Sequence, residues 1–292
     1  MKNTEIKKEV REFYDQVGWK KVSDNVYQNA HYEDLRPVSR EYIHKCHLRV
    51  KRHLSPSGRF LLDAGSGPVQ YPEYLTYSQE YQRRVCLDIS ILAVREARQR
   101  LGEHGFYVVG DVAALPFESE VFDGVVSLHT LHHLPAEDQK RGYFELDRVL
   151  KPGHAAVVVN GWTASSLMNR LKWLMLLFER LGGLVARLSG RKPEEKLVQG
   201  PAAPAKSAPT GTHVQKIDAA WVREQLKNLD SVKIYIWRSV SVRFLRAVMH
   251  TWLGGKLWLK LLFWLEERNP EWFGEKGQYP LIVIRKDDIP VG

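Results

Sequence analysis

Cysteine is almost absent from this chain, whose 292 residues include only Cys46 and Cys86. Two cysteines this far apart make neither a disulfide framework nor a cluster with the spacing of metal ligands. Cys86 also lies in an apolar run that is typical of a buried strand. The cysteine content therefore favours a reduced, intracellular protein, and we expect a cytoplasmic one.

Targeting and membrane-spanning segments are also lacking. The N-terminal stretch MKNTEIKKEVREFYDQ is charged throughout and has none of the apolar core of a secretory signal. No part of the chain reaches the roughly 18 consecutive apolar residues that a membrane-spanning helix requires. We therefore expect no segment that crosses a membrane. Contact with a membrane surface is a separate question.

Acidic residues are the minority charge, since 43 Lys and Arg stand against 34 Asp and Glu, a formal net charge of +9. An excess of this size favours an anionic partner such as a nucleic acid, an acidic lipid surface or an anionic substrate, without choosing among them. A merely solvated cationic face is an equally weighted alternative. The 44% of hydrophobic residues suffices for one large domain or two small ones.

Short apolar runs alternate with helical periodicity between residues 58 and 162. The runs are RFLLDAG, RVCLDIS, FYVVGD, FDGVVSLHT and HAAVVVNGW. Continuous apolar strands separated by helices indicate a parallel sheet that is covered on both faces, a doubly wound α/β fold. Two later apolar runs, SVKIYIWRSV and YPLIVIRK, predict further strands of the same core.

The remaining regions are predicted to be mainly helical. Residues 1–57 form an N-terminal helical region, and residues 163–215 hold a very apolar helix or helix pair. The Pro-, Ala-, Gly- and Ser-rich stretch 189–212 is predicted to be a flexible loop. Residues 216–292 complete the core sheet and carry an aromatic-rich helical insertion at 241–278.

Carboxylates and glycines stand where the predicted strands end. The first strand runs into Asp63-Ala64-Gly65-Ser66-Gly67, the second ends at Asp88, the third at Asp111 and the fourth at Leu128-His129. Ligands of a doubly wound sheet bind at the carboxyl ends of its strands. Packing has no use for three successive carboxylates there, because buried carboxylates are unfavourable without partners. These residues therefore indicate a ligand site.

A nucleoside would use each of these groups. Gly65 and Gly67 allow the backbone a close approach to a ligand and tolerate positive φ. Asp88 is placed to accept hydrogen bonds from both ribose hydroxyls, as the acid of dinucleotide folds does. Asp111 has the chemistry to accept a hydrogen bond from an adenine amino group.

The third glycine of a dinucleotide-binding turn is missing. The pattern G-x-G-x-x-G would need glycine where the chain has Gln70, and Pro68 and Val69 precede it. A pyrophosphate needs a tight turn and an unencumbered helix N-terminus, and Asp63 would repel it. The turn therefore favours a nucleoside joined to an amino acid, and it argues against a nicotinamide oxidoreductase.

Four segments resemble the successive motifs of class I S-adenosylmethionine-dependent methyltransferases: LLDAGSG, VCLDIS, VVGDVAALPFESEVFDGVVSLHTLHHL and ELDRVLKPGHAAVVV. They are most similar to the broad subfamily that includes ubiquinone and menaquinone biosynthesis enzymes. The resemblance covers about residues 58–160. It implies a Rossmann-like seven-stranded sheet, mostly parallel with the last strand antiparallel, with helical cap insertions. It also implies S-adenosyl-L-methionine as cofactor, an N-terminal lid over it and methyl transfer as the reaction.

The resemblance also assigns the cofactor contacts. They fall on Asp63, Ala64, Gly65, Gly67, Asp88, Ile89, Asp111, Val112 and Leu128. Asp63, Gly65 and Gly67 would hold the methionine part, and Asp88 would bind the ribose hydroxyls with Ile89 against the adenine face. Asp111 and the backbone of Val112 would read the adenine edge, and Leu128 would lie below the sulfonium. The chain departs from the family at Pro68, where many members carry glycine.

The histidines of LHTLHHLP are a second set of candidates. No cysteine or acidic cluster of ligand spacing stands beside them, so we expect no metal site. His129 is nearest to the methyl-transfer centre in the family layout and is a candidate general base. A neutral packing or hydrogen-bonding role is the favoured alternative.

Acceptor specificity is expected to lie outside the core. The two apolar insertions form a packed cap, line a pocket for a large apolar acceptor, or lie with their Trp and Lys residues on an anionic membrane surface. We predict methyl transfer to a small-molecule acceptor, hydrophobic or lipid-like, by a cytoplasmic protein peripheral on the inner face of the membrane.

The alternatives are an RNA methyltransferase and a non-catalytic membrane-associated scaffold. Nucleic acid is disfavoured because the basic residues are interleaved with Leu and Trp. The acceptor atom and the oligomeric state do not follow from the sequence.

Overall fold

The computed structural model describes residues 2–23, 26–188 and 212–288. The predicted flexible loop at 189–212 therefore lies outside the described residues, except for Thr212. The N-terminal region contains helix α1 (Lys2–Phe13), which continues as a π-helical turn (Tyr14–Gly18), strands β1 (Lys21–Ser23) and β2 (Val26–Tyr27), and helix α2 (Arg40–Leu48). The antiparallel pair β1–β2 was not predicted from the sequence.

A seven-stranded sheet forms the centre of the molecule. Its strands are β3 (Gly58–Ala64), β4 (Tyr81–Asp88), β5 (Gly105–Val109), β6 (Gly124–Leu128), β7 (Ala155–Val159), β8 (Ser231–Arg238) and β9 (Tyr279–Arg285). The order across the sheet is β5-β4-β3-β6-β7-β9-β8. Strand β9 runs antiparallel to both of its neighbours, and the other strands are parallel to one another. The predicted Rossmann-like sheet with an antiparallel last strand is confirmed.

Helices cover the sheet and extend beyond it. The remaining α-helices are α3 (Pro72–Leu75), α4 (Ile91–Leu101), α5 (Ala136–Val149), α6 (Ser166–Leu188), α7 (Ala219–Gln225), α8 (Val242–Val248), α9 (Gly255–Arg268) and α10 (Pro270–Lys276). Short 3-10 turns occupy Gln28–Tyr32, Val50–His53, Thr76–Ser78, Gly102–His104, Leu131–His133 and Thr251–Leu253. Side chains of Ser90, Asp218 and Ser241 accept the backbone hydrogen bonds that begin α4, α7 and α8.

Both faces of the sheet are buried, which explains the continuous apolar runs of its strands. Val157 packs into the cluster that contains Ala97 of α4, whereas its neighbour Val158 packs into the cluster that contains Leu146 of α5. Successive side chains of a strand point to opposite faces, so a strand covered on both sides must be apolar throughout.

A third hydrophobic cluster joins the insertions to the N-terminal region. Ile43 of α2, Phe244 of α8 and Leu259 of α9 are buried in it, and Leu171 and Leu174 of α6 pack against it. Beside it, the fully buried Glu266 accepts a hydrogen bond from Tyr42 and pairs with Arg49. In the described part of the chain no helix is long and apolar enough to cross a membrane.

Candidate active site

A cavity of about 530 Å³ opens at the carboxyl ends of β3, β4, β5 and β6. The N-terminal region covers one side of it, with Lys7, Tyr14 and Trp19 in its wall. Trp237 and Tyr279, from the ends of β8 and β9, line the opposite part. The predicted strand-end residues other than Ala64 thus line one cavity, at the edge of the sheet where ligands of this fold bind.

The glycine turn after β3 has no room for side chains. Gly65 and Gly67 have φ values of +78° and +52°. A Cβ atom on Gly65 would collide with the Thr130 side chain, and one on Gly67 would lie 2.9 Å from the Trp19 ring. Both positive φ and close neighbours therefore require glycine here.

The turn continues in a way that does not suit a pyrophosphate. Val69, although β-branched, is held at φ +52° and is fully buried. The following helix α3 is only four residues long. The long helix that points its N-terminus at a pyrophosphate in dinucleotide folds has no counterpart directly after this turn.

Asp88 closes the turn from the neighbouring strand. Its Oδ2 accepts the Gly67 N–H at 2.9 Å, and its Oδ1 accepts the Ser90 N–H at 2.9 Å. Each carboxylate oxygen can accept a second hydrogen bond, so both remain able to meet ribose hydroxyls. Burial raises the pKa of Asp88 to about 6, although the two backbone hydrogen bonds oppose the shift.

Asp63 lines the cavity, but its charge is already compensated. Its Oδ2 is held by the Nη2 of Arg84 and lies 3.2 Å from the Nε of the same side chain. Arg84 is fully buried. The charge of Asp63 is therefore already balanced by a cation of the chain itself.

Ala64 is the one predicted contact that the structure places outside the cavity wall. It is fully buried in the sheet core, and its carbonyl accepts a hydrogen bond from Ser127 at 2.8 Å. Its side chain points away from the cavity, because consecutive residues of a strand face opposite sides, and its contact with the cofactor stays a prediction.

Asp111 and Val112 reach the cavity just beyond the end of β5, with Ile89 nearby on the loop after β4. Nζ of Lys7 donates a hydrogen bond of 2.6 Å to Asp111 Oδ2 and pairs with Asp138 at 2.6 Å. Burial disfavours the ammonium, but these two hydrogen bonds outweigh it and raise the pKa of Lys7. A residue from outside the core therefore already contacts the carboxylate predicted to read adenine.

Leu128 and His129 form the floor between the two ends of the cavity. His129 has φ +55°, and its ring lies 4.8 Å from the Trp237 ring, centroid to centroid. Burial and the neighbouring charge of Arg238 lower the pKa of His129 to about 3. The side chain is therefore neutral at ordinary pH and only weakly basic, which favours the packing role over the general base.

His133 connects the N-terminal region to the segment that begins at Thr212. Its Nδ1 donates to the His213 carbonyl at 2.8 Å, because a carbonyl can only accept. Its Nε2 then accepts the Tyr14 hydroxyl at 2.7 Å. His132 contacts Asn160 instead. Within the described residues no group of three or more His, Cys, Asp or Glu could hold a metal ion.

The part of the cavity away from the glycine turn is aromatic. Most of its residues were not predicted from the sequence as site residues. Its wall includes Tyr71, Tyr74, Trp237 and Tyr279. The guanidinium of Arg238 lies 4.6 Å from the Tyr279 ring centroid. The antiparallel last strand was the available signal, since it brings the start of YPLIVIRK, rather than its end, to the carboxyl edge of the sheet.

A buried charge network supports this aromatic end. Arg238 pairs with Glu33, and the Nε2 of His47 lies 3.8 Å from the other oxygen of Glu33. Burial alone would raise the pKa of Glu33, but Arg238 and His47 overcome it and hold this pKa at about 2. Burial likewise opposes the charge of His47, and the nearby carboxylates of Glu33 and Glu73 raise its pKa.

Residues 62–158 match the family described as methyltransferase domain. This match takes in every strand-end residue singled out above from Asp63 to His129. The domain is a class I S-adenosylmethionine-dependent methyltransferase. Its cofactor is S-adenosylmethionine. The subfamily suggested by the sequence stays a prediction.

Curated relatives of this methyltransferase domain differ in their acceptors. A tRNA (carboxymethyluridine(34)-5-O)-methyltransferase of Arabidopsis thaliana is 29% identical over 159 residues, or 48% of this chain and 37% of the relative. The phthiotriol/phenolphthiotriol dimycocerosates methyltransferase 1 of Mycobacterium ulcerans is 31% identical over 116 residues, or 39% of this chain and 42% of the relative. The chain thus spans less than half of the length of these relatives.

Among solved structures, the Haemonchus contortus phosphoethanolamine N-methyltransferase 2 in complex with phosphomonomethylethanolamine and S-adenosylhomocysteine has the same fold. The two chains superpose with a TM-score of 0.52 at 14% identity, over 95% of this chain and 60% of that one. This likeness concerns the fold alone.

Proposed function

We propose that the whole chain transfers the methyl group of S-adenosylmethionine to a small organic acceptor with a hydrophobic body. The observation that carries the proposal is the composition of the cavity. One end has the glycine turn with Asp88, and the other end is walled by aromatic rings around Trp237 and Tyr279. Apolar pockets with a few polar groups are the usual form of a small-molecule site.

The cofactor end has what a nucleoside with an amino acid needs. The turn lines the cavity at Gly65 and Gly67 without side chains, because Thr130 and Trp19 leave no room for a Cβ atom there, and Asp88 presents two acceptors next to it. Asp111 and Ile89 line the same cavity and are proposed to hold the base. When bound, S-adenosylmethionine supplies an electrophilic methyl group, so no catalytic triad is required.

The chain's own contribution is positioning and the exclusion of water. Leu128 and His129 lie between the two ends, and the neutral His129 ring packs against Trp237. Tyr14 and Trp19 cover the cavity from the N-terminal side, with their rings stacked at 4.9 Å. A site walled in this way orients an acceptor and keeps solvent from the reacting atoms.

An RNA acceptor is the second candidate, because one relative modifies tRNA and the net charge is +9. The described part of the cavity wall opposes it. This wall includes the carboxylates Glu33, Asp63, Asp88 and Asp111 and the cations Lys7, Lys216 and Arg238. Arg238 pairs with Glu33, Lys7 with Asp111, and the buried Arg84 with Asp63, so the positive charges are offset. A polyanion is attracted by surplus positive charge, which this wall lacks.

Calorimetric titration with S-adenosylmethionine tests the cofactor end. We expect binding by the unaltered protein, loss of binding in Asp88→Ala and no change in Asp230→Ala. Asp230 is an exposed acid that hydrogen-bonds the Asp287 N–H and lies outside the cavity wall. A folded protein that does not bind the cofactor would support the scaffold alternative.

Incubation with methyl-labelled cofactor and a cell extract tests the acceptor. We expect label in small molecules that partition into organic solvent, and none of it in Asp88→Ala. Label in the tRNA fraction, together with tRNA binding that weakens steeply as salt rises, would favour the RNA reading instead.

A further inference from the structure

Helix α9 is apolar on two faces. Its inner face carries Leu259, Leu262 and Phe263, which pack into the third hydrophobic cluster. The opposite face is exposed and consists of Leu257, Trp258, Leu261, Trp264 and Leu265. The spacing of these five residues, i, i+1, i+4, i+7 and i+8, makes one continuous apolar stripe along the helix.

The exposure of this stripe is unusual for residues of this size. Leu257 is 72% exposed and Trp258 57% exposed, and Trp252 in the preceding turn is 79% exposed. Scattered exposed apolar residues need no explanation, but contiguous apolar patches mark sites of interaction.

Helix α6 presents a second stripe of the same kind. Trp173, Leu177 and Leu181 follow one another at intervals of four residues and are all exposed, Trp173 by 65%. Leu171 and Leu174 on the inner side pack on the cluster that also holds α9. The same cluster therefore anchors both helices, and each turns a Trp-bearing stripe to solvent.

Basic side chains accompany both stripes. Lys256 and Lys260 are exposed on α9, and Arg170 and Lys172 are exposed on α6. Arg268 places its guanidinium 4.3 Å from the centroid of the Trp264 ring. Trp, Leu and Lys mixed along an exposed helix is the composition of helices that lie in the headgroup region of a membrane.

The acids near the stripes are already paired. Glu179 on α6 receives two hydrogen bonds from Arg243. Glu267 on α9 pairs with Arg49 and Arg52. The lysines therefore give the surface a positive balance, which complements anionic lipid headgroups.

We propose that the exposed stripe of α9, together with Trp252, docks the protein on an anionic lipid bilayer, with the stripe of α6 as a further point of contact. The Trp and Leu side chains enter the boundary between headgroups and acyl chains, and the lysines contact anionic headgroups. A protein partner would fit less well, because the centres of protein–protein interfaces are poor in Lys. The docking does not depend on methyl transfer.

Flotation with lipid vesicles tests the proposal. We expect the protein to float with mixed phosphatidylcholine–phosphatidylglycerol vesicles, to float poorly with phosphatidylcholine alone, and to detach as salt rises. The double variant Trp258→Ser, Trp264→Ser removes the apolar part of the surface, and Lys256→Glu, Lys260→Glu reverses its charge. Each should lower vesicle partitioning by about tenfold or more.

The matched control is Phe106→Ser, which removes a 50%-exposed aromatic side chain from β5, at the opposite edge of the sheet from β8. It should float like the unaltered protein, and all variants should keep S-adenosylmethionine binding as proof of folding. Equal binding to both kinds of vesicle, or unchanged flotation of the two double variants, would overturn the proposal. It would also fall if, without vesicles, Trp258→Ser, Trp264→Ser converted an oligomer into a monomer by size-exclusion chromatography.

Discussion

Nζ of Lys7 lies 2.6 Å from Oδ2 of Asp111, so a side chain from the first helix rests on the carboxylate just beyond the end of β5. The same ammonium pairs with the buried Asp138. The N-terminal helix is thus attached to the core by charge at the point where the adenine is predicted to bind.

Replacing Lys7 by methionine should loosen this attachment. The variant leaves Asp138 buried with one cation fewer, and we expect the free energy of unfolding to fall by about 1–3 kcal/mol. Limited proteolysis should also cut more readily within α1. The matched control is Lys8→Met. Lys8 is 64% exposed, and its Nζ lies 3.8 Å from Glu12 Oε1, too far for a hydrogen bond. That change should alter stability by about 0.5 kcal/mol or less. Equal effects of both changes, measured by urea unfolding, would contradict the assignment.

Cofactor binding should weaken in mild acid. Ribose hydroxyls donate to the ionised form of Asp88, whose pKa burial raises to about 6. One pH unit below that value, the affinity for S-adenosylmethionine should be about tenfold lower. Calorimetry across this range measures it, and a flat profile would show that Asp88 does not bind the ribose as a carboxylate.

The groups around the site contribute to stability in opposite directions over the same pH range. Because the pKa of Asp88 is raised in the folded protein, this group favours the folded state more as pH falls from about 6 towards its ordinary 3.8. Glu33 changes stability in the opposite direction. Its pKa is held at about 2, so it stabilises the folded state above pH 4.5, and this stabilisation disappears only as pH falls towards 2. The pKa of His129 is lowered to about 3, so this group disfavours the folded state as pH falls below its ordinary 6.5. Circular dichroism at each pH therefore separates unfolding from loss of binding.

The glycine turn gives a matched pair of substitutions. Gly65→Ala places a methyl group against Thr130 at φ +78° and should destabilise the fold by about 2–4 kcal/mol. Gly254 also has positive φ, at +69°, in the left-handed helical region, but a Cβ atom there meets no neighbour within 4 Å. Gly254→Ala should therefore lose only the backbone preference, about 1–2 kcal/mol, and keep cofactor binding. Thermal unfolding with and without S-adenosylmethionine distinguishes the two, and similar losses would refute the steric argument.

His129 should remain neutral throughout the physiological range. Its pKa is lowered to about 3, first by burial and then by Arg238. His129→Asn keeps a residue that tolerates positive φ, and the rate of methyl transfer should fall by less than about tenfold, whereas loss of a general base lowers rates by about 100-fold or more. Titration of the histidine ring by NMR gives a direct check, and a pKa near neutrality would restore the general-base hypothesis.

The strands could be predicted because they are buried on both faces and hence apolar throughout. The start of β4 was predicted too late. The strand begins at Tyr81, whereas the apolar run RVCLDIS starts only at Arg84. Arg84 is buried because Asp63, on the adjacent strand, neutralises it. A pairing between residues so far apart along the chain leaves no local pattern in the sequence.

The candidate site was predictable only at its cofactor end. There, glycines and acids follow the apolar strands directly, so short sequence motifs are enough to identify them. The aromatic end depends on how distant segments meet, since Tyr71 follows β3 while Trp237 and Tyr279 come from the last two strands. Aromatic residues of this kind also look like ordinary core residues in a sequence, because their spacing matches that of any buried strand.

The position of β9 has a consequence for the order in which the sheet assembles. This strand is the last to be synthesised, yet it lies between β7 and β8 and bonds to both. Strand β8 is made some forty residues earlier on the ribosome and has no place in the sheet until β9 arrives. In a nascent chain the apolar residues of β8 should therefore remain unpaired and exposed until β9 is made. Exposed apolar segments of this kind bind chaperones. Pulse-labelled hydrogen exchange during refolding should show β8 amides gaining protection no earlier than those of β9.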